Sequence, residues 1–359
     1  MFSLKGLLPD RKRTVGLDIG SSSIKLVEIL DASEGYLLNN FSQVPLEKGI
    51  IVEGSVVDAN ALSERIRGLF KISGCKTKRV VTSLSGHKVI SKKATFPTLE
   101  ADDLRQLIND EAGNYLPFDD VKDVSFDFQI LGESEGNPGQ MDVVLVAAKK
   151  DIVQNYADAI QKAGLKAVIM DVDSFALETM YETNYDFEEH DVVVLVNIGA
   201  SITNINVVKG GQSIFTRDVS MGGQSITDSI QEKLSVPFEE AERIKIEAAK
   251  ENAHPGSGSQ VNPLDFAEPL FMEIERSIDY FRSTHGGEYI KELILSGGSA
   301  KIGGIVETLT QRLSIDTQIV NPFQNIAYNK KIFDPVTIED IGPVAALGIG
   351  LALRRVDDL

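Results

Sequence analysis

Tryptophan is absent, cysteine occurs once and histidine four times among 359 residues. A single cysteine, Cys75, excludes an internal disulfide and a cysteine-built zinc site, and it fits a reducing compartment. His87, His190, His254 and His285 are scattered, with no pair at metal-ligand spacing. Basic residues are also outnumbered, 36 against 53 acidic, for a net charge of -17. Such a chain repels a polyphosphate backbone, which argues against a nucleic-acid partner. No run approaches the ~20 consecutive apolar residues of a membrane-spanning helix, and residues 1–10 are too short for a secretory signal. A cytoplasmic protein is expected. The glycine-lysine phosphate loop, the dinucleotide glycine fingerprint, the nucleophile elbow and the zinc-protease helix are all missing.

At 42% hydrophobic residues the chain is long and apolar enough to bury more than one core. Valine- and isoleucine-rich runs at 14–19, 24–30, 79–84, 191–198, 203–209 and 292–296 read as strands. Leu62, Ile66, Leu69 and Phe70 recur at helical spacing, as do Ile152, Tyr156, Ala159 and Ile160 before Gly164. The chain is therefore of the α/β class. Residues 86–163 follow a different rhythm of strand, helix (99–116), two strands and helix (151–163), and read as an insertion.

The segment Val15-Gly16-Leu17-Asp18-Ile19-Gly20-Ser21-Ser22-Ser23-Ile24-Lys25 is echoed by Leu195-Val196-Asn197-Ile198-Gly199-Ala200-Ser201-Ile202-Thr203-Asn204-Ile205. Each copy is a strand, a tight glycine turn with small hydroxyl residues and a returning strand. Gly20 permits the turn, the amides of Ser21, Ser22 and Ser23 suit a phosphate, and Asp18 at the strand end suits magnesium held through water. Lys25 either reaches phosphate or lies on the solvent face. In the second copy Gly199, Ala200 and Ser201 would face the same cleft. A third glycine element, Ser296-Gly297-Gly298-Ser299, ends an apolar strand and would let the backbone approach a flat ligand such as adenosine. Together these features predict ATP and magnesium as cofactors.

In this order the motifs resemble those of the actin-like ATPase superfamily, two lobes of duplicated ribonuclease-H-like domains. The small-residue segment Ile341 to Ala352 is similar to its closing helix. The resemblance implies that Glu242 and Lys245 grip the nucleoside, where spacing alone suggests a solvated ion pair. Within the superfamily, Asn114-Tyr115-Leu116-Pro117-Phe118, Val143 to Lys150, Ala163-Gly164-Leu165 and Val172 to Leu177 resemble the PilM family of type IV pilus assembly proteins, related to the cell-division protein FtsA. FtsA relatives end in a linker and an amphipathic helix, whereas only Arg354-Arg355-Val356-Asp357-Asp358-Leu359 follows the closing helix here, which favours PilM. The implied arrangement is a tail (1–13), a first lobe (14–190) with an inserted subdomain (about 86–163), a second lobe (191–338) with a helical subdomain (about 236–285), and a closing helix (339–359) returning to the first lobe.

The implied function is an ATP-binding scaffold at the cytoplasmic face of the inner membrane. It would bind the cytoplasmic N-terminal peptide of the membrane protein PilN and respond to other platform proteins and assembly motors. Tyr115, Leu116 and Phe118 either line such a peptide groove or pack a helix end. The superfamily often carries an aspartate where this chain has Asn197, a poor proton acceptor, so slow or absent hydrolysis is expected. Asp173 either supplies the missing carboxylate or caps a helix starting at Ser174. The alternatives are a small-molecule kinase or phosphatase, and a filament-forming cytoskeletal protein. At the N-terminus, Lys5, Arg11, Lys12 and Arg13 beside Phe2, Leu4, Leu7 and Leu8 either touch an anionic membrane weakly or form a solvated tail.

Overall fold

The computed structural model describes residues 13–33, 35–87, 89–115, 121–134, 137–252 and 261–355. It opens with an antiparallel meander, β1 (Val15–Ile19), β2 (Ser23–Ala32) and β3 (Gly35–Pro45), then the short pair β4 (Ile51–Val52) and β5 (Ser55–Val56). Next come α1 (Ala59–Ser73), β6 (Arg79–Leu84), β7 (Val89–Pro97), α2 (Ala101–Tyr115), β8 (Val124–Glu133), β9 (Gln140–Lys149), α3 (Lys150–Lys162), β10 (Lys166–Val172) and α4 (Asp173–Asn184). A second meander follows, β11 (Val192–Ile198), β12 (Thr203–Lys209) and β13 (Gln212–Val219). It leads to α5 (Gly223–Leu234), α6 (Phe238–Asn252), α7 (Glu268–Thr284), β14 (Glu292–Ser296), α8 (Ile305–Leu313), β15 (Thr317–Ile319), β16 (Ile326–Tyr328) and α9 (Pro335–Leu353).

Two large sheets share one topology. The first runs β3-β2-β1-β6-β10 and the second β13-β12-β11-β14-β15, in each case a meander followed by two parallel strands. The duplication visible at the glycine turns thus extends across ten strands. β16 adds a sixth strand to the first sheet, parallel to β3. The connections differ: β14 reaches β15 through a 3-10 turn (Gly298–Lys301) and α8, whereas β6 reaches β10 through a three-stranded sheet (β7-β9-β8), α2 and α3. That small sheet buries Phe96, Met141, Val143 and Leu145 against Leu104 and Ile108 of α2.

The outer meander strands β3 and β13 had not been expected from sequence. Their side chains are mostly half-buried, so neither has a clean apolar alternation. Helix α1 begins where Asp58 accepts hydrogen bonds from the amides of Asn60 and Ala61, and ends at left-handed Gly74, φ 66°. α3 buries the expected stripe of Ile152, Tyr156, Ala159 and Ile160.

α9 starts earlier than the expected 339, because Asp334 caps it through the Thr337 amide and Pro335 occupies its first turn. Among the described residues α9 alone is long and apolar enough, by length and composition, to span a bilayer, yet 72% of its apolar window is buried inside the protein. It lies against β1, β2 and α4. Close packing explains its glycines. A Cβ on Gly348 would stand 2.6 Å from Val27 Cγ2, and one on Gly350 1.7 Å from the Ala176 carbonyl oxygen. Gly350→Leu would force α9 off α4.

Candidate functional site

The two glycine turns are built alike and touch. The Gly20 amide donates to the Ser23 carbonyl at 3.1 Å, and the Gly199 amide to the Ile202 carbonyl at 3.0 Å. A Cβ would press on that same carbonyl oxygen in each, at 3.2 Å and 2.8 Å respectively. Ser201 Oγ donates to Ser21 Oγ at 2.6 Å, so the second turn meets the first directly.

Below each turn one pair of side chains bridges the ladder. Asp18 faces Lys25 in register, and Lys25 Nζ lies 2.8 Å from Asp18 Oδ2, with only 14% and 8% of the two side chains exposed. Lys25 is therefore not on the solvent face: it is partly buried and paired with Asp18. In the second sheet Asn197 faces Asn204, and Asn197 Nδ2 donates to Asn204 Oδ1 at 3.0 Å. This bond extends sideways. Ser296 Oγ donates to Asn197 Oδ1 at 3.2 Å, and Asn204 Nδ2 donates to Asp218 Oδ1 at 2.8 Å. The Gly86 amide donates to Asp218 Oδ2 at 2.6 Å. A single polar row thus crosses β14, β11, β12 and β13 and ends on the segment leading into β7. Burial raises the Asp218 pKa, opposed by the Asn204 and Gly86 bonds.

Asp173 does not cap its helix. The cap position is Val172, without a side-chain bond, and Asp173 is the first helical residue, its carboxylate accepting from Ser83 Oγ at 2.5 Å. Its pKa is pushed up to about 7, chiefly by burial, then by Asp218 and Asp18, while bonds from Ser83 and Ser85 oppose the rise. Burial, followed by the charges of Asp173 and Asp18, also raises the Tyr156 hydroxyl. Asp18, Asp173 and Asp218 hence form one electrostatic neighbourhood.

The Gly222-Gly223 pair at the start of α5 closes the other side. The Gly223 and Gln224 amides donate to the Gly199 and Ala200 carbonyls at 2.9 and 2.8 Å, and a Cβ on Gly222 would lie 2.5 Å from the Gly199 oxygen. A Cβ on Gly223 would strike Ser299 Oγ at 2.2 Å. Lys245 Nζ reaches the Gly223 carbonyl at 3.0 Å, Thr227 Oγ1 at 2.8 Å and Glu242 Oε2 at 2.7 Å. Glu242 and Lys245 are thus docked on α5, not standing free in solvent. Gly297, at φ 90°, brings its Cα so near β11 that a Cβ would meet the Ile198 carbonyl oxygen at 2.4 Å, while around Gly298 a Cβ would meet nothing within 4 Å.

These contacts join the Gly20 turn, through Ser21 and Ser201, to the Gly199 turn, and that turn in its own neighbourhood to Gly223, Ser299, Lys245, Glu242 and Gly297, while Ser22 and Gly298 are tied to the set only by chain continuity. Sequence reasoning missed Gly222, Gly223 and Asp218, although the double glycine opening α5 offered a signal. Of the residues assigned to a partner, Leu116 and Phe118 lie outside the described residues. Tyr115 closes α2, and its side chain lies outside them too. The tail 1–12 is likewise outside. Among the described residues no group of three or more His, Cys, Asp or Glu stands ready to hold a metal.

A family model described as type IV pilus assembly protein PilM matches residues 16–356. The chain belongs to the PilM family. A solved PilM-PilN type IV pilus biogenesis complex is 27% identical, with a TM-score of 0.81 over 96% of this chain and 98% of that one. The fold is that of the actin-like ATPases, and EutJ, an ethanolamine utilization protein from Carboxydothermus hydrogenoformans, shares it at a TM-score of 0.55, 18% identity and 96% and 90% coverage. Among curated proteins, FtsA of Bacillus subtilis is 25% identical over 255 residues, a match spanning 64% of this chain and 57% of that protein. FtsA of Enterococcus hirae is 21% identical over 371 residues, 91% of this chain and 82% of that protein.

Proposed function

We propose that this PilM-family chain is a nucleotide-binding scaffold of the pilus platform at the cytoplasmic face of the inner membrane, gripping the N-terminal peptide of PilN and turning ATP over slowly or not at all. The observation that carries the reading is the convergence of two equivalent glycine turns, bridged by Ser21 and Ser201, with the open backbone at Gly298. The turns suit phosphates, Gly298 and Ser299 suit the adenosine, and Glu242 with Lys245 borders it. Magnesium would be held through water by Asp18, the strong anion at the first turn, with the nucleotide's own oxygens completing its shell.

Slow turnover follows from how the candidate bases are engaged. Asn197 is neutral and spends its amide on Asn204. Asp218 is occupied by Asn204 and Gly86. Asp173, with a pKa of about 7, is buried beneath Ser83. None is poised to take a proton from water. The bond from Gly86 to Asp218 gives the cleft a route to the inserted sheet, since Gly86 leads into β7.

The decisive test is calorimetric titration with ATP and magnesium, then with the PilN N-terminal peptide, each in the presence and absence of the other. Tight ATP binding, negligible phosphate release and reciprocal enhancement between the two ligands are expected. ATP consumption stimulated by a small-molecule acceptor, or rapid hydrolysis abolished by Asp18→Ala, would sink the scaffold reading.

A further inference from the structure

The end of the first sheet remote from the Gly20 turn carries a charge opposite to that of the whole protein. Residues 65–79 contain Arg65, Arg67, Lys71, Lys76, Lys78 and Arg79 and no Asp or Glu, in a chain of net charge -17. Strand register gathers this stretch beside a second basic one, because Lys166 of β10 pairs with Arg79 of β6, and the Lys166 amide donates to the Lys78 carbonyl at 2.8 Å. Arg67 bonds the Lys162 carbonyl, which places the α3–β10 turn against α1.

Arg67, Lys71, Lys76, Lys78, Lys162 and Lys166 are all exposed. Among the described residues none of the six forms an ion pair. Three carboxylates at this end are committed elsewhere: Glu28 is buried and accepts from Thr77 Oγ1 at 3.0 Å, Asp31 pairs with Arg355 at 3.0 Å, and Glu47 pairs with Arg65, while Glu64 on α1 and Asp158 on α3 stand at the margin of the basic surface. Amid these cations stands Ile72, 74% exposed at the end of α1.

We propose that this surface rests on an anionic lipid bilayer. Five of these six cations without a described ion pair are lysines, hydrated point charges suited to a diffuse layer of headgroups, where a specific acidic protein site would favour the fork of arginine. An isolated exposed isoleucine within a basic field suits the boundary between headgroups and acyl chains. The chain also enters β1 here, since Val15 pairs with Val80 next to Arg79, and the residues preceding it in sequence include Arg11, Lys12, Arg13 and four large apolar side chains. The bound orientation would turn the Gly20 turn toward the cytosol.

The test is co-sedimentation of the whole chain with vesicles of phosphatidylglycerol and phosphatidylcholine, against vesicles of phosphatidylcholine alone. Binding is expected only to the anionic vesicles and is expected to weaken as salt rises. At about fivefold per lysine, the combined variant Lys71→Gln, Lys76→Gln, Lys78→Gln, Lys166→Gln should bind at least about a hundredfold more weakly. Ile72→Ser should cost a further, smaller loss, and ATP binding in the distant cleft should stay intact in both variants, which certifies their folding and reads the cleft separately. Three results would overturn the proposal: equal vesicle binding by the four-lysine variant, capture by immobilised polyglutamate with no vesicle binding, or complete loss from Arg11→Gln, Lys12→Gln, Arg13→Gln while the four-lysine variant still binds.

Discussion

Two rungs at the same place in two copies of one ladder have come to opposite electrical solutions. Below the first turn Asp18 and Lys25 form an ion pair that satisfies itself and stops there. Below the second turn Asn197 and Asn204 are neutral, and each amide has a second group to offer, so hydrogen bonding passes outward to Ser296, Asp218 and Gly86. The backbone did not need to change for this, since strand order and turn hydrogen bonds are common to both copies. An ion pair is a local device and an amide is a relay. The pair of choices leaves one side of the cleft electrically closed on itself and joins the other, through Asp218 and Gly86, to the segment leading into the inserted sheet.

The largest effect that would test this contrast is one of pH. Asp173 lies within the influence of both Asp18 and Asp218, and its pKa is raised from 3.8 to about 7. The folded protein therefore holds a proton that the unfolded chain has released. Its contribution to stability is fully present below about pH 4 and is lost as pH rises through about 7, on the order of a few kcal/mol. Thermal melting from pH 4 to 8 should show a shallower decline in Asp173→Asn, with a remainder from Glu178, also raised to about 7 by burial. Superimposable profiles would remove Asp173 from the account.

Next in size, Asn197→Asp should destabilise by about 3 kcal/mol in denaturant titration, because a charge then enters a row already ending on Asp218. Adding Asn204→Lys should recover most of the loss by recreating the first rung, and failure to recover would mean that the rungs are not equivalent. Gly199→Ala should cost about 2 kcal/mol and Gly20→Ala about 1 kcal/mol, following the closer carbonyl at the second turn. Asp18→Asn should weaken magnesium-dependent ATP binding about tenfold, or about 1.4 kcal/mol by calorimetry, with ATP alone affected less. The smallest effect, about 0.5–1 kcal/mol in melting, belongs to Ser201→Ala, which removes the hydroxyl bridge between the turns.

Local features were legible in the sequence. A glycine turn is written in consecutive residues, so Gly20, Gly199 and Gly297 stood out, as did the apolar stripe of α3. What escaped was decided across the chain. Asp218 acts through Gly86, 132 residues away, and Gly222 is required because the Gly199 carbonyl lies where its side chain would be. Asp173 looked like a cap because it precedes a helical run, but Ser83 from a neighbouring strand claims its carboxylate. Strand β3 was overlooked for a related reason: its partner β2 supplies the register that its own mixed polarity does not.

The burial of α9 also sets an order of events during synthesis. Its glycines fit Val27 and Ala176, and Gly16 of β1 accommodates the Gly348 carbonyl, so β1 awaits a helix made more than 300 residues later. Until then β1 and β2 present apolar surface with no cover from α9. Contacts of such separation close slowly, and partly made chains aggregate through surfaces of this kind. A nascent chain of this protein therefore needs shelter until α9 has been made, and truncation before residue 335 should yield insoluble material instead of a smaller folded domain.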